Sequence, residues 1–310
     1  METPVPFDLE LTVRSHGFYD LPPWTWDAGR KVLARPLRLS GGRAVRAEVA
    51  ERVEPGGGLA LRLTAEGRLG AAEVAEARAQ VRTCLALDED LGPFYRAVEA
   101  LAAAPPAKAP PPPLAWAVAR GAGRLLRSPT VFEDAVKTLL TTNCTWALTR
   151  AMAANLVRHL GEPAPLGERT FPTPRAMAAE GERFYRDTIR SGYRAPFLAA
   201  LAREVASGAL DLEAFRDPAL ATDDLARRIR SLGGFGPYAT EHLLRLLGRY
   251  DHLALDSWTR AKLARLRGKR RVPADATFAR WYAPFGRFAG LAMWLEVTAD
   301  WHGDGAPAWP

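Results

Sequence analysis

Cysteine is scarce in this chain, and the two present in 310 residues, Cys84 and Cys144, cannot supply a disulfide framework, an all-cysteine zinc site or a four-cysteine iron–sulfur cluster. Both are expected to be packing residues, and no metal held by side chains is expected. Long apolar runs are missing as well. No stretch approaches the ~18 to 20 uninterrupted apolar residues of a membrane helix, and the N-terminus METPVPFDLE lacks the basic-then-apolar layout of a signal peptide. A cytoplasmic chain with no membrane partner is the expectation. There is no phosphate-cradling P-loop, no dinucleotide fingerprint and no internal repeat. Lysine is rare too: Lys31, Lys108, Lys137, Lys262 and Lys269 stand against 37 arginines, a bias that a GC-rich genome explains as well as a need for phosphate forks does. What remains is ordinary for a folded protein, with 48% hydrophobic and 25% charged residues and length for roughly two domains of ~150 residues.

The net charge of +7 is unevenly spread. Between Asp256 and Arg271 lie Arg260, Lys262, Arg265, Arg267, Lys269, Arg270 and Arg271 against a single acid, Asp256. The rest of the chain is close to neutral. A basic block of this kind suits a phosphate backbone, whereas a merely solvated face usually mixes signs.

Period-two alternation marks the first ~85 residues, as in Phe7–Val13 and Leu59–Leu63, with turn chemistry between the runs at Pro55-Gly56-Gly57-Gly58. From Ala71 the apolar spacing becomes helical, as with Val131, Ala135, Val136 and Leu139, and again with Leu243, Leu244 and Leu247. The expected fold class is α+β: a small antiparallel β domain over residues 1–86, then a helical region over 87–310. The proline-rich stretch 105–113 cannot be helical and reads as a stiff connector.

Two local motifs carry chemistry. Ser231-Leu232-Gly233-Gly234-Phe235-Gly236-Pro237-Tyr238 separates two helical patterns, so residues 225–248 should form a helix, a tight hairpin and a second helix. Such a turn aims backbone N–H groups at a helix N-terminus, where an anion is favoured. A plain glycine-rich connection is the competing reading. Further on, Leu253-Ala254-Leu255-Asp256 ends an apolar run with an aspartate that opens the basic helix. As an N-cap, Asp256 would accept helix N–H bonds, which favour its ionised form.

With these residues on the page, the chain resembles the helix-hairpin-helix (HhH-GPD) DNA glycosylases. Leu232-Gly233-Gly234-Phe235-Gly236 followed by Asp256 is similar to the family's L-x-G-x-G hairpin and catalytic aspartate. Gly123–Pro129, Thr141-Thr142-Asn143 and Gly192-Tyr193-Arg194-Ala195 resemble blocks of the 8-oxoguanine branch. Leu87–Leu91 after a β-rich domain is similar to that branch and to the inducible 3-methyladenine enzymes.

The resemblance implies base excision repair. Double-stranded DNA with a damaged base would be the partner of a monomeric enzyme that needs no cofactor beyond a monovalent cation at the hairpin backbone. Gly234 and Gly236 would hold a phosphate, Arg260 and Lys262 would track neighbouring ones, and Asn143, Tyr193 and Arg194 would occupy the gap left by a flipped nucleotide. Asn143 as a helix cap and Tyr193 as a packing residue remain open alternatives. Tyr238 stands where bifunctional members carry the Schiff-base lysine, so a glycosylase without lyase activity is implied. Tyr238, Phe285 and His242, one turn beyond Tyr238, would line the base pocket, while Trp281, Phe288 and Trp294 read as core. Alkylated purines of the 3-methyladenine or 7-methylguanine type are the expected substrates. Oxidised or deaminated purines are the alternative, and a non-catalytic DNA-binding module is the alternative of another class.

Overall fold

The computed structural model describes residues 1–52, 57–103 and 112–302. The connector expected at 105–113 falls outside the described residues except for Pro112 and Pro113, and so do Pro55 and Gly56 of the expected turn. A short helix α1 (Leu9–Val13) comes first, then strands β1 (Thr25–Asp27), β2 (Val32–Arg38), β3 (Ala44–Glu51) and β4 (Leu59–Thr64). They form one antiparallel sheet in the order β1-β2-β3-β4, with Leu33 opposite Val49 and Leu37 opposite Val45. Along β3 every second residue, Val45, Ala47 and Val49, is buried. This is the two-residue period of a sheet with one covered face. Helix α2 (Ala71–Cys84) supplies the cover with Ala77, Val81 and Cys84.

All later elements are helical: α3 (Gly92–Ala103), α4 (Ala115–Arg120), α5 (Val131–Thr141), α6 (Trp146–Leu160), α7 (Pro174–Ala178), α8 (Glu182–Asp187), α9 (Ala195–Ala206), α10 (Thr222–Arg230), α11 (Pro237–Leu246), α12 (Ser257–Leu266), α13 (Asp275–Tyr282) and α14 (Ala289–Thr298). The α+β class expected from the sequence is therefore observed. None of the described helices is long and apolar enough to cross a membrane.

One run departs from its pattern. Phe7–Val13 alternates like a strand but forms α1, capped by Asp8, whose carboxylate accepts from the Leu11 amide at 2.9 Å. The helix is wedged between two cores: Leu9 and Val13, one turn apart, pack beneath the sheet, while Leu11 packs into the helical core. Apolar residues are needed on both sides, so the helical period is masked. Burying each such leucine stabilises by about 1.5–3 kcal/mol.

A buried ion network ties the sheet to the helices. Arg35 of β2 lies 4.5 Å over the Trp24 ring and reaches both carboxylate oxygens of Glu133 on α5, at 3.2 and 2.8 Å. The Lys137 ammonium, fully buried one turn along α5, sits 2.7 Å from the same carboxylate. Burial opposes the charge on Glu133, but the two cations hold its carboxyl below the ordinary value.

Candidate active site

The hairpin forms between α10 and α11. Gly234 has φ +83°, and a Cβ there would stand 2.8 Å from Phe197 Cδ2 and 2.9 Å from Leu139 Cδ2. Only glycine meets both demands. Gly236 is different: its surroundings are open and its φ is ordinary, so nothing within the chain requires it to be glycine. Pro237 opens α11 at the position where a missing N–H costs nothing. Among the described residues the amides of Gly234, Tyr238 and Ala239 donate to no backbone carbonyl, at a turn whose Gly233, Gly236, Pro237 and Tyr238 are exposed. At the other end of the hairpin, His252 bridges the two helices, with Nδ1 3.1 Å from Glu241 on α11 and Nε2 3.0 Å from Asp223 on α10. The hydrogen bond to Glu241 is the largest influence raising the His252 pKa to about 9, so this clasp is ionic near neutrality.

Helix α11 presents Tyr238, His242 and Arg245 along one stripe, at i, i+4 and i+7, and turns Leu243, Leu244 and Leu246 into the core. The stripe forms one wall of a cavity of about 220 Å³. The other walls are His16, Gly17 and Phe18 from the segment after α1, Thr141 and Trp146 around the end of α5, and Trp294 and Trp301 from the C-terminal helical turns. Ala254, Asp256, Trp258 and Thr259 complete it. The Tyr238 and His242 rings stack at 6.0 Å with an 18° interplanar angle, and Phe18 closes the interior at 5.2 Å from His242.

Asp256 is the N-cap of α12. One carboxylate oxygen accepts from the Thr259 amide at 2.7 Å, and the other has no hydrogen-bond partner among the described residues. It is half-buried at the cavity edge, which leaves a carboxylate oxygen able to face a positive charge.

The cavity interior carries polar groups of unequal freedom. Burial pushes the His16 pKa down to about 3, and its Nε2 lies 2.6 Å from the Leu126 carbonyl. It is a neutral ring donating to that carbonyl and accepting from the Phe18 amide through Nδ1 at 3.4 Å. His242 is also held neutral, its pKa driven well below the ordinary value by burial and then by the neighbouring His16 and Arg245. Its Nε2 is buried without a partner. Arg245 is 5% exposed. Its guanidinium stands 4.1 Å over the Trp294 ring and, among the described residues, makes neither an ion pair nor a hydrogen bond. Burial lowers its pKa to about 10, so it remains a cation at neutral pH.

Of the residues singled out in the sequence, Asp256, Tyr238 and His242 are brought together in this cavity. Phe285 is not. It is 3% exposed and packs against Phe94, ring centroids 6.4 Å apart, because the turn after α13 directs it into the core. Its expected place is taken by Trp258, Trp301 and Trp294, the last of which was read as core. Phe18 lines the cavity, whereas Tyr19, Trp24 and Trp26 line a separate surface cleft with Arg150.

Three of the basic residues singled out in the sequence as DNA contacts are engaged internally. Arg194 is 4% exposed and donates to the Leu139 carbonyl at 3.1 Å and to Thr142 Oγ1 at 3.2 Å, closing the C-terminus of α5. It is thereby withdrawn from an opposite base. Lys262, 8% exposed, is bound to Asp300 at 2.7 and 2.9 Å and lies 5.0 Å from the Trp258 ring and 5.3 Å from that of Trp301. It supports the cavity wall from behind instead of tracking phosphates. Arg260 forks onto Asp275, both contacts 2.8 Å. A charge count sees neither acid, because Asp275 and Asp300 arrive 15 and 38 residues later. Arg267 is paired with Glu296, 2.9 Å from Oε2, and the exposed remainder of the block is Arg265, Lys269, Arg270 and Arg271. Asn143, at φ +45°, and the half-exposed Tyr193 meet at the rim, Asn143 Nδ2 donating to Tyr193 Oη at 3.2 Å.

Among the described residues no group of three or more His, Cys, Asp or Glu side chains could hold a metal ion. Arg245 is the functional candidate that sequence reading missed. Its signal was the helical spacing from Tyr238 through His242.

The fold is shared with solved DNA glycosylases. A 3-methyladenine DNA-glycosylase from Archaeoglobus fulgidus superposes with a TM-score of 0.72 at 20% identity, covering 96% of this chain and 97% of that one. The 8-oxoguanine glycosylase/lyase of Clostridium acetobutylicum in its apo form gives 0.64 at 14% identity, over 91% and 93% of the two chains. The same enzyme with double-stranded DNA containing cytosine opposite 8-oxoguanine gives 0.61 at 12% identity, over 92% of each. No family model matches the chain, and neither does any curated protein.

Proposed function

We propose that this protein is a DNA N-glycosylase that extrudes a damaged purine from the duplex and hydrolyses its glycosidic bond. The observation that carries this reading is the unpartnered carboxylate oxygen of Asp256 at the edge of an aromatic cavity whose wall is the second helix of the glycine hairpin. The shared fold supports it: the neighbours are glycosylases, and one of them is bound to DNA.

On this reading the free amides of Gly234, Tyr238 and Ala239 hold a backbone phosphate. A monovalent cation at the turn is compatible with that role. Exposed Arg265, Lys269, Arg270 and Arg271 add contacts that do not depend on sequence. Extruding the nucleotide costs on the order of a few kcal/mol, less for a damaged pair, and Asn143 with Tyr193 occupies the space it leaves. As the C1′–N bond lengthens, positive charge grows on the sugar. Asp256, beneath it, stabilises that charge and orients the attacking water. The products are the free base and an abasic site.

Strand cleavage through a Schiff base needs a free amine beside C1′. The cavity lining holds no lysine, Tyr238 offers a phenol, and the Lys262 ammonium is bound to Asp300 behind Trp258 and Trp301. These features support hydrolysis without lyase chemistry. Aromatic walls suit either an alkylated or an oxidised or deaminated purine.

The test is single-turnover release of free base from duplexes carrying 3-methyladenine, 7-methylguanine, hypoxanthine or 8-oxoguanine. At least one base should be freed, leaving an alkali-labile abasic site and no adduct after borohydride trapping. Failure to release any of them contradicts the glycosylase reading, and a trapped adduct contradicts the monofunctional one.

A further inference from the structure

Resting on that reading, we infer that Arg245 and His242 form the subsite that reads the extruded base, and that it selects neutral purines bearing a carbonyl at C6 over cationic alkylpurines. Two independent observations point to a ligand here. The Arg245 side chain is buried against Trp294 and, among the described residues, has no hydrogen-bond acceptor and no ion-pair partner, Glu241 and Asp256 acting on it only at longer range. One turn away, His242 Nε2 is buried with no partner, on a side chain that is 9% exposed. Both face one cavity. Polar atoms left unmatched in a dry site are satisfied by what binds there.

The chemistry of the pair sets the class. A guanidinium presents N–H groups in a fixed fork, which matches the adjacent O6 and N7 acceptors of hypoxanthine and xanthine, whereas 8-oxoguanine, which carries a proton on N7, offers it O6 alone. Neutral His242 supplies one donor or one acceptor next to it, the complement of a carbonyl beside N1–H. His16 cannot exchange roles with it, because its Nε2 is committed to the Leu126 carbonyl. A fixed cation also repels a base that is itself cationic, as N7- and N3-alkylpurines are before cleavage.

The leaving group agrees. When the C1′–N9 bond of a neutral oxopurine breaks, its electron pair departs with the base as an anion spread over N9, N7 and O6. Arg245 stabilises that anion until it takes a proton from solvent, while the water oxygen bonds to C1′ and releases its proton toward Asp256. A cationic alkylpurine leaves neutral and gains nothing from a guanidinium.

The experiment compares wild-type full-length protein with Arg245→Gln and Arg245→Lys in single-turnover release from hypoxanthine, xanthine, 8-oxoguanine and 7-methylguanine duplexes. Wild type should release a 6-oxopurine faster than 7-methylguanine. Arg245→Gln should lower the ratio of 6-oxopurine to 7-methylguanine release by about tenfold to a hundredfold, with Arg245→Lys between the two. Faster release of 7-methylguanine by wild type, or an unchanged ratio in Arg245→Gln, overturns the inference. Tryptophan quenching by free hypoxanthine against free 7-methylguanine reads the subsite without catalysis, since Trp258, Trp294 and Trp301 line it. If no duplex loses a base, the glycosylase reading falls, yet hypoxanthine quenching that is lost in Arg245→Gln still upholds the subsite. Equal quenching by both bases, or none, overturns it.

Discussion

The buried cations at the sheet–helix junction and in the cavity are built on opposite terms. At the junction of sheet and helices, Arg35 and Lys137 close on Glu133, so two cations share one carboxylate inside the protein. In the cavity, Arg245 is almost as deeply buried and stands over an indole face, with no ion-pair partner among the described residues. Taking a charge out of water costs several kcal/mol unless a partner compensates it. The first cluster is compensated within the chain and holds the architecture together. The second is left open, and that distinguishes a binding group from a structural one more sharply than burial does.

Breaking the compensated cluster should have the largest effect. Glu133→Gln leaves two buried cations facing an amide and should lower the unfolding free energy by about 3–5 kcal/mol in urea titrations. A loss below about 1 kcal/mol would remove the basis of the comparison. Next, Gly234→Ala forces a Cβ against Phe197 and Leu139 at a positive φ. It should cost about 1–3 kcal/mol and weaken duplex binding, whereas Gly236→Ala, with open space around it, should fold normally and lose only the duplex contact. By contrast, Arg245→Met removes a cation that no acid contacts directly among the described residues, and its stability should stay within about 1 kcal/mol of wild type. A loss like that of Glu133→Gln would make Arg245 a structural residue.

The smallest effect is one of pH. The folded pKa of His252 is raised, chiefly by its hydrogen bond to Glu241, to about 9 from 6.5. The clasp between α10 and α11 is therefore fully stabilising below pH 6.5 and fades as pH rises through about 9. Amide exchange in the hairpin should accelerate across that window in wild type and show no such slope in His252→Gln.

Much of the site was legible in the sequence because local rules governed it. Alternating glycines before a proline specify the turn, and an aspartate between an apolar run and a helix specifies the cap that Asp256 makes. What escaped reading depended on distant partners. Nothing near Lys262 announces Asp300, and nothing near Arg194 announces the end of α5 that it closes. Phe285 follows a proline, a position that suits a rim residue, but the backbone turn sends it to Phe94. Leu9–Val13 failed for another reason, since a helix buried on two sides looks like alternation. Arg245 was within reach, one more step along the stripe that begins at Tyr238.

The most direct test of the account is the rate of base release by Asp256→Asn beside wild type on whichever duplex wild type cleaves. Asparagine is an equally good N-cap, so α12 should persist and duplex binding should be retained. Release should fall by at least about a hundredfold. Undiminished release with binding intact would contradict the assignment of this carboxylate and of the cavity it faces.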